Sequence, residues 1–231
     1  MDRNKAVESY LFASDKERVV ERVTEMGQKA VAAVKNSMEA FLNCDEAKAQ
    51  KVIEGDREIN LMDEEIDLDC LRSIAMRQPV RDELRFIFAV LKTTTDIERV
   101  GDHSVNIANW VGKLGKRAST AVDSMLADMF DVALAMVRDA LIAFRASDGG
   151  VSEEICRRDD QLDIMYDNIA SKLLDLAASH ENNDYAAVRV IFAQIMVARS
   201  LERIGDHSTN IAERVYFMDK GKSMAKNNDD G

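Results

Sequence analysis

Proline and glycine are scarce in this chain, whose 231 residues include one proline and ten glycines. Few strong helix breakers therefore interrupt it, and Ala, Glu, Leu, Met and Arg, which are common, favour helices. The length is sufficient for one large or two small hydrophobic cores. Composition alone predicts an all-α protein.

Long apolar runs and paired cysteines are also missing. The longest clean apolar run, FIFAVL at residues 86–91, is far shorter than the ~18 residues that span a bilayer. No apolar segment follows the N-terminal MDRNKAVESY, so we expect no signal peptide. Cys44, Cys70 and Cys156 form no C-x-x-C pair, which predicts buried, reduced thiols. We expect a soluble, cytoplasmic protein.

Basic residues are outnumbered, and the formal net charge is -11. Such a surface repels nucleic-acid phosphates and anionic lipid, so neither is an expected partner. It suits cations or basic protein surfaces instead. Signatures of catalysis are missing as well: there is no HExxH, nucleophile elbow, P-loop or Gly-rich dinucleotide turn. We therefore predict that the chain is not an enzyme.

Long patterns with a period of 3.6 residues fill the sequence. The first runs from about Glu17 to Asn43 and the second begins near Asp45. Pro79 should end the second helix, because the residue before a proline is pushed out of helical geometry. A third helix is predicted from about residue 80 to 113, with Gly115 as its stop and Ser119 or Thr120 as the next cap.

The same plan then repeats. The stretch EMGQKAVAAVKNSMEAFLNC parallels DMFDVALAMVRDALIAFRAS, Asp56 lies opposite Asp159, and Glu98 lies opposite Glu202. A nearly constant offset over three helices indicates an internal duplication, and three antiparallel amphipathic helices can enclose a core by themselves. We predict two tandem, pseudo-symmetric three-helix bundles, residues 1–116 and 117–219, followed by a flexible polar tail, residues 220–231.

One phrase is preserved far better than the rest of the repeat. Residues 98–108, ERVGDHSVNIA, match residues 202–212, ERIGDHSTNIA, at nine of eleven positions. Immediately upstream, residues 81–97 match residues 185–201 at only four of seventeen. If helix packing were the only constraint, the two stretches should have diverged to a similar extent. A requirement local to residues 98–108 and 202–212 therefore preserves particular side chains.

The phrase places acidic side chains one helical turn apart. Like charges four residues apart destabilise an isolated helix by roughly 0.2–0.5 kcal/mol, and a glycine in mid-helix costs about 1 kcal/mol. A bound cation would compensate for the first cost, and a closely packed neighbour would explain the glycine. The second helix of each half could add further oxygen ligands. The predicted metal ligands are Asp56, Glu98 and Asp102 in the first half, and Asp159, Asp163, Glu202 and Asp206 in the second.

The ligand type limits the choice of metal. Oxygen ligands favour Mg, Mn, Ca or Fe, and a contribution from His103 or His207 would admit Zn, Fe or Ni. A plainer interpretation is that these acidic pairs are solvated surface, or that Arg99 and Arg203 pair with them in a salt-bridge network. A metal-dependent bundle enzyme is a further alternative, although the Glu-x-x-His motif of di-iron bundles is absent.

The chain resembles the PhoU family of bacterial accessory proteins of phosphate-specific transport. The resemblance covers nearly the whole chain and is carried by KVIEGDREINLMDEEID, MRQPVRDELRFIFAVLKTTTDIERVGDH and ARSLERIGDHSTNIAERVYFMDKGK. It implies two tandem three-helix bundles, often dimeric, with metal ions held by a Glu or Asp followed four residues later by Asp. Asn60 departs from this motif, because it stands four residues after Asp56.

The resemblance also implies a function. Members of the family are cytoplasmic negative regulators of the phosphate-starvation response. They couple the ATPase subunit of the phosphate transporter to a membrane sensor histidine kinase, so that uptake is limited when phosphate is plentiful. The expected cofactors are divalent or trivalent ions, Fe, Mn, Mg or Zn, and the expected membrane association is peripheral, through these partners only.

Overall fold

The chain is all helical in the part described by a computed structural model, which covers residues 3–179 and 185–224, with side chains from residues 14–178 and 185–224. The described residues contain no strand, which confirms the predicted fold class. The six helices are α1 (Arg3–Asn43), α2 (Glu46–Arg77), α3 (Asp82–Leu114), α4 (Ala121–Ala146), α5 (Ser152–Ser179) and α6 (Tyr185–Lys220), with a short 3₁₀ helix at Gly149–Val151.

The helix ends follow the local signals in the sequence. The Asp45 side chain accepts a hydrogen bond from the Lys48 backbone N–H at 2.9 Å and caps α2. This helix ends two residues before Pro79, as predicted. Thr120 and the third residue of α4 form a capping box. The predicted start of α1 is wrong, because the helix begins at Arg3, well before the clear periodicity.

The buried residues repeat from one half to the other. Phe41 on α1 and Phe144 on α4 occupy equivalent positions and are each 1% exposed. Met26 and Met129, one offset apart, are both fully buried. These residues belong to one continuous core that includes side chains from all six helices. The duplication therefore built two similar bundles that also bury surface against each other.

The two halves meet mainly through α3 and α6, which run antiparallel. At one end the Phe88 and Phe217 rings lie edge to face with centroids 6.0 Å apart. At the other end Trp110 meets Phe192 at 5.5 Å in the same way. Phe88 and Phe192 are equivalent positions in the repeat, so each half packs an aromatic ring from the same part of its third helix against the other half.

The connector between α3 and α4 is held by a buried ion pair. The Arg117 guanidinium donates to both carboxylate oxygens of Asp123, at 2.7 and 2.9 Å, and both side chains are less than 10% exposed. Gln194 of α6 donates to the same carboxylate at 2.9 Å. Arg117 also lies over the Phe41 ring, 4.7 Å from its centroid. The connector is therefore tied to both halves of the chain.

Other expectations concern the ends and surface of the molecule. Lys220 still belongs to α6, and residues 225–231 of the predicted tail lie outside the described residues. The three cysteines are free, with Cys70 buried and Cys44 and Cys156 partly buried. Among the described residues, no helix is both long and apolar enough to cross a membrane.

Candidate metal centres

The two glycines of the repeated phrase are contact points between helices. A Cβ atom at Gly101 of α3 would lie 3.1 Å from Asp56 Oδ1 on α2. At Gly205 of α6 it would lie 3.1 Å from Asp159 Oδ1 on α5 and would overlap the buried Leu162 side chain. The predicted close approach is confirmed, and it presses a carboxylate of the second helix against the acidic turn of the third.

In the first half this packing brings together Asp56, Glu98 and Asp102, which we call the first acidic face. Burial raises the pKa of the Asp56 carboxyl, and the charge of Asp102 raises it further. The pKa of Glu98 is raised by burial, then by Asp102, against the opposing effect of Arg99. These carboxylates therefore repel one another in a partly dehydrated groove.

In the second half the same packing assembles the second acidic face, made of Asp159, Asp163, Glu202 and Asp206. Burial, then the charges of Asp206 and Asp163, raise the pKa of Asp159 to about 6. Burial and Asp206 also raise the pKa values of Asp163 and Glu202. The structure thus places all seven predicted residues in two equivalent groups, while their role as metal ligands stays a prediction.

The first acidic face contains an acid that the sequence reading missed. Asn60, which departs from the motif, donates its side-chain N–H to Asp56 Oδ2 at 3.2 Å. One turn further along α2, the charge of Asp63 contributes to the raised pKa of Glu98. Asp63 is seven residues from Asp56 and so lies on the same helical face, a spacing visible in the sequence. Asn60 is equivalent to Asp163 of the second half, so the first half carries its additional carboxylate one helical turn later, at Asp63.

Several side-chain oxygens on or beside the two acidic faces are buried and have no hydrogen-bond partner in the described part of the chain. They are Oδ1 of Asp56, Asn60, Asp63 and Asp67, which form a stripe along α2, and Oε2 of Glu202 on α6. An orphaned buried oxygen costs roughly 1–3 kcal/mol, and more when it is charged. Hard oxygen donors left in this way suit a cation such as Mg²⁺, Mn²⁺ or a ferric ion.

Arginines of the repeated phrase hold the outer carboxylates. Arg99 Nη1 lies 2.9 Å from Asp102 Oδ2, and Arg203 Nη1 lies 2.8 Å from Asp206 Oδ2. The predicted salt-bridge network is therefore present. In this arrangement, no three His, Cys, Asp or Glu side chains among the described residues are placed to hold one ion. The donor chemistry fits a metal, but its binding would require Asp102 and Asp206 to turn away from the arginines.

The second acidic face carries an extra cation. Arg199 Nη1 lies 2.9 Å from Glu202 Oε1, and the guanidinium carbon lies 5.7 Å from the centroid of the Tyr166 ring. The equivalent residues in the first half are Thr95 and Asp63. One face therefore has an extra arginine beside an aromatic ring where the other has an extra carboxylate, so the two faces differ electrostatically.

The two histidines of the phrase lie at the contact between the halves. Their rings are 5.6 Å apart, and His207 Nδ1 lies 2.9 Å from Asp96 Oδ1. Burial, with the nearby His207, lowers the pKa of His103 to about 4. The two rings thus lie at the contact between α3 and α6, and this geometry gives no support to a contribution of either imidazole to a metal site.

Fold and site together define an all-α protein built from a duplicated three-helix bundle, with one oxygen-rich acidic face on each half. The PhoU domain family matches the chain twice, over residues 23–111 and 126–215. The chain belongs to the PhoU family, which confirms the resemblance seen in the sequence.

Named relatives and solved structures agree with this assignment. A protein of Clostridium acetobutylicum named phosphate-specific transport system accessory protein PhoU homolog is 33% identical over 94% of this chain and 98% of its own length. The Escherichia coli protein named phosphate-specific transport system accessory protein PhoU is 29% identical over 92% of this chain and 87% of its own. The crystal structure of PhoU from Pseudomonas aeruginosa, 30% identical, superposes with a TM-score of 0.85 over 91% of this chain and all of that one.

Proposed function

We propose that this chain is a cytoplasmic, metal-binding adaptor that negatively regulates the phosphate-starvation response and phosphate uptake. Its role is to couple the ATPase subunit of a phosphate ABC transporter to a sensor histidine kinase. The observation that carries the proposal is the 33% identity to a phosphate-specific transport accessory protein over nearly the full length of both chains. Membrane association is then peripheral and depends on these partners, and the adaptor acts as a homodimer without binding nucleic acid.

The surface supports an adaptor rather than an enzyme. The two acidic faces lie in grooves between helices, and the net charge of -11 favours cations and basic protein surfaces. Each face joins carboxylates of two helices, so a cation there would relieve their repulsion and bind the helices to each other. In the first half the ligands would be Asp56, Glu98 and Asp102, aided by Asp63. In the second half they would be the four carboxylates of the second acidic face.

The regulatory part is tested by deleting the gene and following a phosphate-responsive promoter in phosphate-rich medium. We expect expression to rise in the deletion strain and to return to the repressed level when the wild-type gene is restored. A deletion strain whose promoter stays repressed in high phosphate would rule out the regulatory role.

The metal-binding part is tested by elemental analysis of protein purified without a metal-affinity tag. We expect wild-type protein to carry Fe, Mn, Mg or Zn, and Glu98→Ala/Glu202→Ala protein to lose most of it. Glu64→Ala/Glu153→Ala, which removes two exposed glutamates from α2 and α5, is the matched control and should retain the metal. Equal, near-zero metal content in wild type and in Glu98→Ala/Glu202→Ala would contradict metal binding and would show that the acidic faces are solvated surface.

The coupling part is tested with purified components. We expect the chain to bind the transporter ATPase subunit and the cytoplasmic part of the sensor kinase, with a phosphate-dependent change in one of the two complexes. Failure to bind either protein in both low and high phosphate would contradict the adaptor role. It would favour the alternatives of a helical scaffold or a metal-dependent enzyme.

A further inference from the structure

A cleft of about 660 Å³ lies where the end of α3 and the α3–α4 connector meet α5 and the first turns of α6. We call it the junction cleft. Its walls include apolar side chains from α3, α5 and α6, among them Leu114, Leu176, Val190 and Ile191. Its volume and mostly apolar lining are those of a site for a small organic ligand.

The charged residues that line the junction cleft are all basic. They are Lys116, Arg117, Lys172 and Arg189, and none of the acidic residues that the structure describes lines it. This is unexpected in a chain with 42 acidic and only 31 basic residues. The cleft is therefore a local positive site on a strongly negative protein. An anion would be attracted by the side chains of the cleft and not by the surface as a whole.

Most of these cations are free to meet a ligand. Arg117 is neutralised by Asp123 and forms part of the fixed wall. Arg189 donates to the backbone carbonyl of Lys113, which positions its guanidinium without cancelling the charge. In the part of the chain that the structure describes, Lys116 and Lys172 make no ion pair. Three positive charges thus have no carboxylate partner among residues 14–178 and 185–224.

The repeat provides an internal comparison. The equivalent cleft in the first half, about 530 Å³, has Asp69 where the junction cleft has Lys172 and Asp15 where it has Ala118. Asp69 and Asp15 are each paired with an arginine of that half. All three arginines that line the first cleft, Arg18, Arg72 and Arg77, are paired with one of these acids, whereas the junction cleft has lost both acids.

A second difference concerns the apolar wall. Ser73 in the first cleft is replaced by Leu176 in the junction cleft, and Arg18 by Ala121. Inorganic phosphate is strongly hydrated and gains nothing from such walls. A ligand with an apolar body would bury that body against the wall, and its anionic group would reach the uncompensated cations at the rim.

We propose that the junction cleft binds an amphipathic organic anion, with its apolar body against Leu176, Val190 and Ile191 and its acidic group between Lys116, Lys172 and Arg189. The ligand class is an alkyl or aromatic carboxylate, sulfonate or phosphate ester. The inference is independent of metal binding and of phosphate regulation, because it uses neither acidic face.

The test is a fluorescence titration of the full chain with 8-anilinonaphthalene-1-sulfonate, followed by competition with dodecanoate. We expect one bound probe per chain, displaced by dodecanoate, and at least tenfold weaker binding to Lys116→Glu/Lys172→Glu. Lys16→Glu/Arg72→Glu makes the same change of charge in the first cleft and should bind as wild type does. Thermal unfolding followed by circular dichroism verifies that all variants remain folded.

Two further arms separate the parts of the proposal. Val190→Trp narrows the junction cleft without a change of charge and should also weaken the probe. Dodecanol, which has the same chain without the charge, and inorganic phosphate, which has the charge without the chain, should each displace the probe at least tenfold less well than dodecanoate. Equal binding to wild type and Lys116→Glu/Lys172→Glu, or equal displacement by dodecanol or phosphate, would overturn the inference. So would a loss of binding in Lys16→Glu/Arg72→Glu.

Discussion

Replacing Asp159 by asparagine should stabilise the metal-free protein at neutral pH. Folding raises the pKa of this carboxyl from 3.8 to about 6, because it is buried beside Asp206 and Asp163. A shift of ~2 units corresponds to about 3 kcal/mol, which we reduce to roughly 1–2 kcal/mol because the group is partly solvated. Asparagine keeps the shape and the acceptor oxygen but removes the repelled charge.

The sign of the pH dependence follows from proton linkage. The native state holds this proton more tightly than the unfolded state, so stability is fully present below pH 3.8 and falls as the pH rises to about 6. The advantage of Asp159→Asn should therefore be full at pH 7.5 and nearly gone at pH 4. The lowered pKa of His103 acts in the opposite direction but is shared by both proteins, so it cancels.

The assay is thermal unfolding by circular dichroism in EDTA at both pH values. Each kcal/mol should move the Tm by about 2–4 °C in a chain of this size. Asp175→Asn, on an exposed part of the same helix, is the control and should have no effect. With excess Mn²⁺ at pH 7.5, wild type should gain more stability than Asp159→Asn, because the ion binds the native state. A Tm lower than that of wild type at pH 7.5 in EDTA would refute the reasoning.

The remaining predictions concern the helix contacts, the connector and the arginines. Gly205→Ala should lower the free energy of unfolding by about 1–2 kcal/mol, because the new Cβ overlaps the buried Leu162 side chain. Gly101→Ala should be nearly neutral, because its Cβ overlaps its neighbours less and the higher helix propensity of alanine offsets that contact. Urea unfolding compares the two variants. Asp123→Ala should cost about 3–5 kcal/mol in the same assay, because it leaves a buried guanidinium without its partner. Arg203→Gln should tighten Mn²⁺ binding severalfold by calorimetry, because it frees the carboxylate that the arginine holds. The exposed Arg138→Gln should leave the affinity unchanged, and equal affinity in all three proteins would contradict this role of the arginine.

The helical architecture could be predicted because its signals are local. Asp45, Pro79 and Thr120 mark helix ends through their own backbone chemistry, and they do so in the structure. The start of α1 could not be found in this way, since residues 3–16 lack the clear apolar period that marks the rest of the helix. The duplication was equally visible, because a repeated pattern needs no knowledge of contacts.

The candidate site was predicted less completely. The repeated phrase identified Glu98, Asp102 and their equivalents, because the identity of the two copies exceeds what packing requires. Asp63 was missed, since the comparison looked for an acid at the equivalent position, and the first half carries it one turn away. The orientation of His103 and His207 was also beyond prediction, because it depends on which helices of the two halves pack together.

A reader of the sequence alone can predict a duplicated, acidic, all-α chain with a preserved phrase in the third helix of each half. These properties follow from composition, from the 3.6-residue period and from the internal repeat, and none of them depends on contacts between helices. Three further features became visible in the folded chain: Asp56 and Asp159 lie against the two glycines, arginines pair with the outer carboxylates, and a basic cleft forms beside α5 and α6. Each of these joins residues from different helices, and the distance between helices depends on how their side chains interdigitate rather than on any local pattern.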